Sequence, residues 1–183
     1  MNLQHRKDLI NTLSSKFPNG VGVEVGVLVG HFSKYILENW NCKTLHSVDP
    51  WCYQAEYVDY SNTSNSKNEI RLTEARAHLI PFGDRSRIHR MFSKDFADQT
   101  PDESIDFVYL DARHDYAAVI DDIVLWYSKV KKGGILSGHD YANNGNPRNV
   151  IEVKSAVDDW IKTTNHELNL TKEPGAPSWW IIK

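Results

Sequence analysis

Residues 21–49, VGVEVGVLVGHFSKYILENWNCKTLHSVD, constrain the fold more than any other stretch. A β-branched run (Val21, Val23, Val25) leads into Glu24-x-Gly26-x-x-x-Gly30. An amphipathic run with Phe32, Tyr35, Ile36 and Leu37 follows, and a second apolar run over 45–48 ends in Asp49. The order strand, glycine turn, helix, strand, acid is the opening half of a nucleotide-binding α/β unit. The glycines let the backbone pass close to a ligand. The helix that follows offers free N–H groups and the positive end of its dipole. Asp49 stands where an acid accepts the hydrogen bonds of a ribose diol. A dinucleotide site needs G-x-G-x-x-G, and the third close glycine is missing here. The spacing therefore favours a nucleoside without a phosphate chain and disfavours a nicotinamide-dependent oxidoreductase.

The remaining chain extends this unit. At 183 residues it fits one domain, 1–183, with a sizeable core. A formal charge of −3 excludes a global basic surface for nucleic acid. The cluster Arg85, Arg87, His89, Arg90 and Lys94 reads as a solvated strand edge. Cys42 and Cys52 lack metal spacing, the first residues lack an apolar signal core, and no run approaches a membrane span. A cytoplasmic protein with reduced thiols is expected.

Helical spacing runs over 2–17, 32–39, 68–80, 116–130 and 150–163, with a short helical turn at 93–99. Strand-like runs fall at 21–25, 44–48, 87–91, 105–110, 135–138, 166–171 and 178–182, with Gly133-Gly134 as the break before the fifth. Residues 50–67, aromatic and then Ser/Asn-rich, have no period and read as a lid or insertion. Strands alternating with helices imply a parallel sheet covered on both faces, and a late hairpin-like pair implies one antiparallel strand.

In such a sheet, ligands bind beyond the carboxyl ends of the strands. Those ends carry Glu24, Gly26 and Gly30; Asp49; Ser93; Asp111 and His114; and His139 and Asp140. The glycine turn, Asp49, and Asp111 after a strand resemble the class I S-adenosylmethionine-dependent methyltransferases. Three longer motifs are similar to the small O-methyltransferases grouped with macrocin O-methyltransferase, and more distantly to catechol O-methyltransferase. They are Val48-Asp49-Pro50-Trp51, Tyr109-Leu110-Asp111-Ala112-Arg113-His114-Asp115-Tyr116, and Gly133-Gly134-Ile135-Leu136-Ser137-Gly138-His139-Asp140-Tyr141. The resemblance spans essentially the whole chain. It implies a Rossmann-like, doubly wound, seven-stranded sheet of order 3-2-1-4-5-7-6, strand 7 antiparallel, with helices on both faces.

The resemblance also implies roles. Glu24, Gly26, Gly30 and their neighbours would cradle the methionine part of S-adenosylmethionine. Asp49 would bind the ribose, and Phe92 and Ser93 would lie by the adenine. Asp111 would lie near the methionine ammonium and a divalent cation such as Mg²⁺, with Asp140 and one of Asn143 or Asn144 completing an oxygen site. His139 stands where those relatives place a carboxylate, so it either ligates a softer ion or is a hydrogen-bonding residue at a strand end. His114 occupies the offset of the base that deprotonates the acceptor, a role suited to imidazole. The acceptor would be a sugar or small phenolic hydroxyl, with Trp51, Tyr53, Tyr57, Tyr60 and Tyr141 as candidate walls. Segments 51–67 and 141–149 would close the pocket, aided in a homo-oligomer by a second subunit. The alternatives are a module that holds the cofactor without catalysis and a methyltransferase acting on nitrogen or nucleic acid. Against the latter, Asp111-Ala112-Arg113-His114 stands where those enzymes carry Asn-Pro-Pro-Tyr or Asp-Pro-Pro-Tyr.

Overall fold

The computed structural model describes residues 3–183. Seven strands form one sheet: β1 (Val21–Val25), β2 (Thr44–Val48), β3 (Ser86–His89), β4 (Ile105–Leu110), β5 (Val130–Gly138), β6 (Asn169–Leu170) and β7 (Trp179–Ile182). Their order is β3-β2-β1-β4-β5-β7-β6. The pairs among β1 to β5 are parallel, whereas β7 runs antiparallel to both β5 and β6. The expected Rossmann-like sheet is therefore present, with its antiparallel strand in the expected place.

Alternating side chains serve opposite faces, as the pleat requires. Val108 and Leu110 of β4 join Val23, Val25 and Ile181 in one core layer, under α4 (Ser93–Gln99), α5 (Tyr116–Lys129) and α6 (Val153–Lys162). Phe107 and Tyr109 of the same strand join Leu45, Ile135 and Trp180 in the other layer, under α1 (Arg6–Lys16), α2 (His31–Asn39) and α3 (Asn65–Leu79). Among the described residues, no helix is long and apolar enough to cross a membrane. Cys42 and Cys52 are unpaired.

Several boundaries differ from the sequence expectation, each for a local reason. Asn2, where the first helix was expected to begin, lies outside the described residues; α1 starts at Arg6, where His5 and Asp8 form a reciprocal cap. α3 starts at Asn65 because the Ser64 side chain caps it by accepting the Lys67 N–H at 3.4 Å. Gly133-Gly134, expected as the break between helix and strand, lies inside β5, which begins at Val130. The register to β4 shifts there, and Gly133 takes φ +79°. β6 shrinks to two residues, and α6 starts three residues late at Val153.

The basic cluster at the β3 edge is not uniformly solvated. Arg85 Nη2 donates to the carbonyls of Leu37 (2.8 Å) and Trp40 (2.7 Å) near the end of α2. His89 packs on Phe96, and its Nε2 lies 2.9 Å from Nδ1 of His46. Burial lowers the pKa of both imidazoles. For His46, the neighbouring His89 and Arg87 add to this and lower it to about 4. Between about pH 6.5 and 4 the unfolded chain thus binds a proton at His46 that the folded chain does not. Stability from this pair is fully present above about pH 6.5 and is lost as pH falls through the folded value. Thermal melts should therefore show part of the acid decline between pH 6.5 and 4. His46→Asn, whose amide can take the place of Nδ1, should flatten that part by several degrees. Superimposable acid limbs for the two proteins would sink this account.

Candidate active site

The parallel strands all deliver their carboxyl ends to one rim. Ladder bonds run one residue past the strands and fix that rim: Gly26 N–H to Val48 O (2.9 Å), Asp49 N–H to His89 O (3.1 Å), Asp111 N–H to Val25 O (2.8 Å) and His139 N–H to Leu110 O (2.9 Å). Above it opens a cleft of about 660 Å³. That volume lies within the roughly 300–1,000 Å³ of small-ligand sites.

At one end is the glycine turn. Gly26 and Gly30 adopt φ +87° and +80°, the left-handed region. A Cβ on Gly26 would stand 2.0 Å from the carbonyl oxygen of Asp111. The glycine thus lets the ends of β1 and β4 meet. Gly30, expected at the cofactor, does not line the cleft: a Cβ there would stand 3.2 Å from Ala75 Cα, so its bare backbone lets the start of α2 approach α3. Leu28, at φ +53°, holds a conformation disfavoured for its side chain. Asp49 secures this turn. Its Oδ2 accepts the N–H groups of Val27 and Leu28 (both 3.0 Å), and its Oδ1 accepts that of Trp51 (2.7 Å). Asp49 lines the cleft while acting as the clamp of its loop. Glu24 lies at the floor and is only 2% exposed. Burial pushes its carboxyl up to about 8 despite a hydrogen bond from Ser33, whose hydroxyl is 2.8 Å from that of Ser47.

Along one wall lie Phe92 and Ser93. The Ser93 hydroxyl donates to Asp122 and accepts the indole N–H of Trp126 (2.8 Å). Burial raises the Asp122 carboxyl to about 6, with Ser93 opposing the shift. Asp122 lines the cleft and escaped the sequence reading. Its only signal is its place beside the buried stripe Val119, Ile123 and Trp126 of α5.

At the other end sits a charged cluster, of which Asp59, Asp111 and His114 line the cleft, whereas His139 and Asp140, expected there, do not. His114 Nε2 lies 3.1 Å from Asp140 Oδ2 and 3.6 Å from Asp111 Oδ1, and His114 Nδ1 lies 3.2 Å from Asp59 Oδ2. Tyr57 Oη is also 3.2 Å from that Nδ1. His139 Nδ1 is 3.2 Å from Asp140 Oδ1 and 4.0 Å from Asp111 Oδ1. Burial opposes a proton on His114, but the neighbouring Asp111 carboxylate, the contact to Asp59 and the charge of Asp140 outweigh it and raise the imidazole to about 10; within the chain its Nε2 has ion-pair neighbours but no hydrogen-bond partner. His139 is raised on the same pattern, by Asp140 and Asp111 against burial. Asp59 and Asp140 are lowered in spite of burial, by His114 and Ser61 and by His139 and His114 respectively. Asp140 takes φ +50°, a strained backbone of the kind found at functional sites.

One donor atom from each of Asp111, His139 and Asp140 falls within 4.8 Å of the others, a spacing that can hold a metal ion. The expected amide ligands are spent elsewhere. Asn143 pairs with the hydroxyl and N–H of Ser155 (2.8 and 3.1 Å), and Asn144 Oδ1 accepts the Ile151 N–H at 3.1 Å. The donor set is thus two carboxylates and an imidazole rather than all oxygen.

The candidate acceptor walls separate. Trp51 lines the cleft but is 2% exposed, its indole N–H bonded to Leu28 O at 2.7 Å. Tyr57 also lines the cleft, with the Arg113 guanidinium 5.0 Å from its ring centre. Tyr53 is 54% exposed and Tyr141 is bonded to Asp158; neither lines the cleft. Tyr60 lies outside it too, near Asn146 and Asn149. Segment 50–64 is nonetheless docked against the rest of the domain: Val58 O accepts the Val150 N–H (3.1 Å), and Asp59 reaches His114. Asp59 and Arg6 were the other residues missed. Neither has a local pattern, because each reaches the rim through a long-range contact.

Comparison with known proteins agrees with this fold. A family model described as a methyltransferase domain matches residues 22–141. An uncharacterized protein of Acanthamoeba polyphaga mimivirus is 27% identical over 119 residues, covering 65% of this chain; the chain spans about half (50%) the length of that relative. The O-methyltransferase from Bacillus cereus, solved in complex with S-adenosylhomocysteine, superposes with a TM-score of 0.66 at 12% identity, over 97% of this chain and 80% of that one. An rRNA methylase from Streptococcus thermophilus gives 0.67 at 11%, over 97% and 93%. At these identities the two structures share the fold with this chain.

Proposed function

The chain belongs to the methyltransferase-domain family whose model it matches, and on that premise we propose that it transfers a methyl group from S-adenosylmethionine to the hydroxyl of a small acceptor, a sugar or a phenol. One observation carries the reading. A nucleoside-sized cleft has the Gly26–Gly30 turn and Asp49 at one end and His114, boxed by Asp59, Asp111 and Asp140, at the other. A donor held at the first end places its methyl toward the second. The balance of acids and bases along the cleft, with a net charge of −3 for the chain, suits a small acceptor better than a phosphate backbone.

S-Adenosylmethionine supplies an already activated methyl on its sulfonium. The protein's task is then alignment and removal of one proton. The glycine turn holds the methionine part of the donor and Asp49 its ribose, with Phe92 and Ser93 along the base. Asp111 takes the methionine ammonium. His114 accepts the hydroxyl proton as the oxygen–methyl bond forms and the sulfur–methyl bond breaks, leaving S-adenosylhomocysteine. Asp59 and Tyr57 hold the far side of the imidazole. The segment that carries them and the base are therefore assembled together.

The Asp111, His139 and Asp140 donors fit a borderline divalent ion such as Zn²⁺ better than Mg²⁺, because a neutral imidazole suits the softer ion. Bound there, it would supply Lewis acidity to the acceptor hydroxyl. Incubation with S-adenosylmethionine and a panel of phenols and sugars tests the reading. S-Adenosylhomocysteine should appear with at least one of them, fall on treatment with EDTA, and recover further with Zn²⁺ than with Mg²⁺. No product from any phenol or sugar, despite donor binding, would favour a module that binds without catalysis.

A further inference from the structure

We propose that Arg6 binds the α-carboxylate of the methyl donor, acting as a pair with Asp111, which takes the α-ammonium; the inference rests on the donor reading above. Arg6 is the first residue of α1, and the chain around it is firmly held. His5 caps the helix, accepting the Lys7 N–H at 3.2 Å, and Asp8 Oδ2 accepts the Gln4 and His5 N–H groups at 2.9 Å. His5 Nε2 lies 3.0 Å from Glu173, and Leu3 O accepts the Lys172 N–H at 3.2 Å. The start of the helix is thus tied to the turn before β7, across the sheet from the glycine turn. From there the guanidinium reaches over the Phe32 ring, 4.5 Å from its centre, at the start of α2, and lines the cleft.

Its charge pairing there is incomplete: the buried Tyr109 hydroxyl neighbours the guanidinium, and Asp111 is the carboxylate it faces across the cleft. Nη1 is 3.5 Å from Asp111 Oδ2, well beyond the roughly 2.7–2.9 Å of a good charge-assisted bond. The other guanidinium groups of the cleft are better engaged. Arg71 donates to Ser61 O and to Asn68 (3.2 Å), and Arg113 pairs with Asp115 at 2.7 Å. Asp111 is itself divided: Oδ1 faces His114 and His139, whereas Oδ2 faces Arg6. An amino acid carries its opposite charges on one carbon, a spacing close to that of this loose pair. A zwitterion entering with reversed polarity would replace one long contact by two short ones. Asp111 would thereby join the two halves of the site, with Oδ2 serving the donor and Oδ1 serving the acceptor cluster. The amino-acid end of the donor becomes its specificity handle, which the adenosine alone cannot provide.

The test compares two ligands by calorimetry. S-Adenosylhomocysteine carries the amino-acid end; methylthioadenosine keeps the adenosine and the sulfur and lacks it. Arg6→Gln should weaken S-adenosylhomocysteine by about 10–100-fold, as expected when one partner of a partly buried charge pair is removed. Methylthioadenosine should bind the variant and the wild type within about twofold, which also proves the variant folded. Arg6→Lys should recover part of the loss, since it keeps the charge without the fork. Equal weakening of both ligands would mean that Arg6 only supports the cleft, and no weakening of either would mean that it is idle; both results overturn the inference. If neither ligand bound the wild type, the donor reading itself would fall and this inference with it.

Discussion

Gly26→Ala should lower the melting temperature by about 10 °C and abolish measurable binding of S-adenosylhomocysteine. Two effects add. The native φ of +87° strains any L side chain by roughly 1–2 kcal/mol. The new methyl would also meet the Asp111 carbonyl at 2.0 Å and the Ala112 Cα at 2.7 Å, both backbone. Neither can yield without parting the ends of β1 and β4, which together shape the donor end of the cleft. A total near 3–4 kcal/mol corresponds to about 10 °C for a domain of this size. Gly133→Ala is the matched control. Its φ is +79°, but nothing lies within 4 Å of the added methyl. It should lose only the strain, a few degrees, and keep full ligand affinity. Equal losses for the two variants, measured by melting and calorimetry, would show that the Gly26–Asp111 approach does not matter.

His114→Ala should lower turnover by about 10²–10⁴-fold, the usual contribution of a general base, while donor affinity changes little. The pH profile separates this from a structural loss. In the protein free of ligand and ion, Asp111, Asp59 and Asp140 keep His114 protonated up to about pH 10. A base must be unprotonated, so wild-type turnover should climb with pH toward that value. A divalent ion shared by Asp111 and Asp140 would cancel the charges that hold the proton and shift the climb to lower pH. His114→Ala should lack the climb. Stability should move in the opposite sense. A raised folded pKa contributes stability that is fully present below about pH 6.5 and is lost as pH rises through about 10. A His114→Ala profile that retained the wild-type climb would exclude His114 as the base.

The contrast between the two ends of the cleft explains what the sequence could reveal. The donor end is local: Glu24, Gly26, Gly30 and Asp49 fall within one strand–turn–helix–strand unit whose period and glycines can be read directly. Strand order follows from the same alternation together with the family likeness. The surroundings of Asp111 are assembled from afar. Asp59 comes from the aperiodic segment 50–64 and Arg6 from the first helix, so no spacing links either to Asp111. The aromatic residues of segment 50–64 look alike in sequence. Only packing distinguishes Trp51 and Tyr57, which face the cleft, from Tyr53 and Tyr60, which do not. The Asn143 and Asn144 amides could be read as ligands until the turn before α6 was seen to use them as caps. Asp49 is an intermediate case, found at the expected strand end yet doing more than expected, because three N–H groups of its own loop converge on it.

That clamp also gives the most direct test of the central claim, that this rim holds S-adenosylmethionine for methyl transfer. S-Adenosylhomocysteine should be titrated by calorimetry into the wild-type chain and into Asp49→Ala. The account predicts one-to-one binding to the wild type. It also predicts a loss of about 100-fold or more in the variant, which forfeits the ribose contact and frees the Val27, Leu28 and Trp51 N–H groups together. No binding to the wild type, or equal affinity for the two proteins, would contradict it.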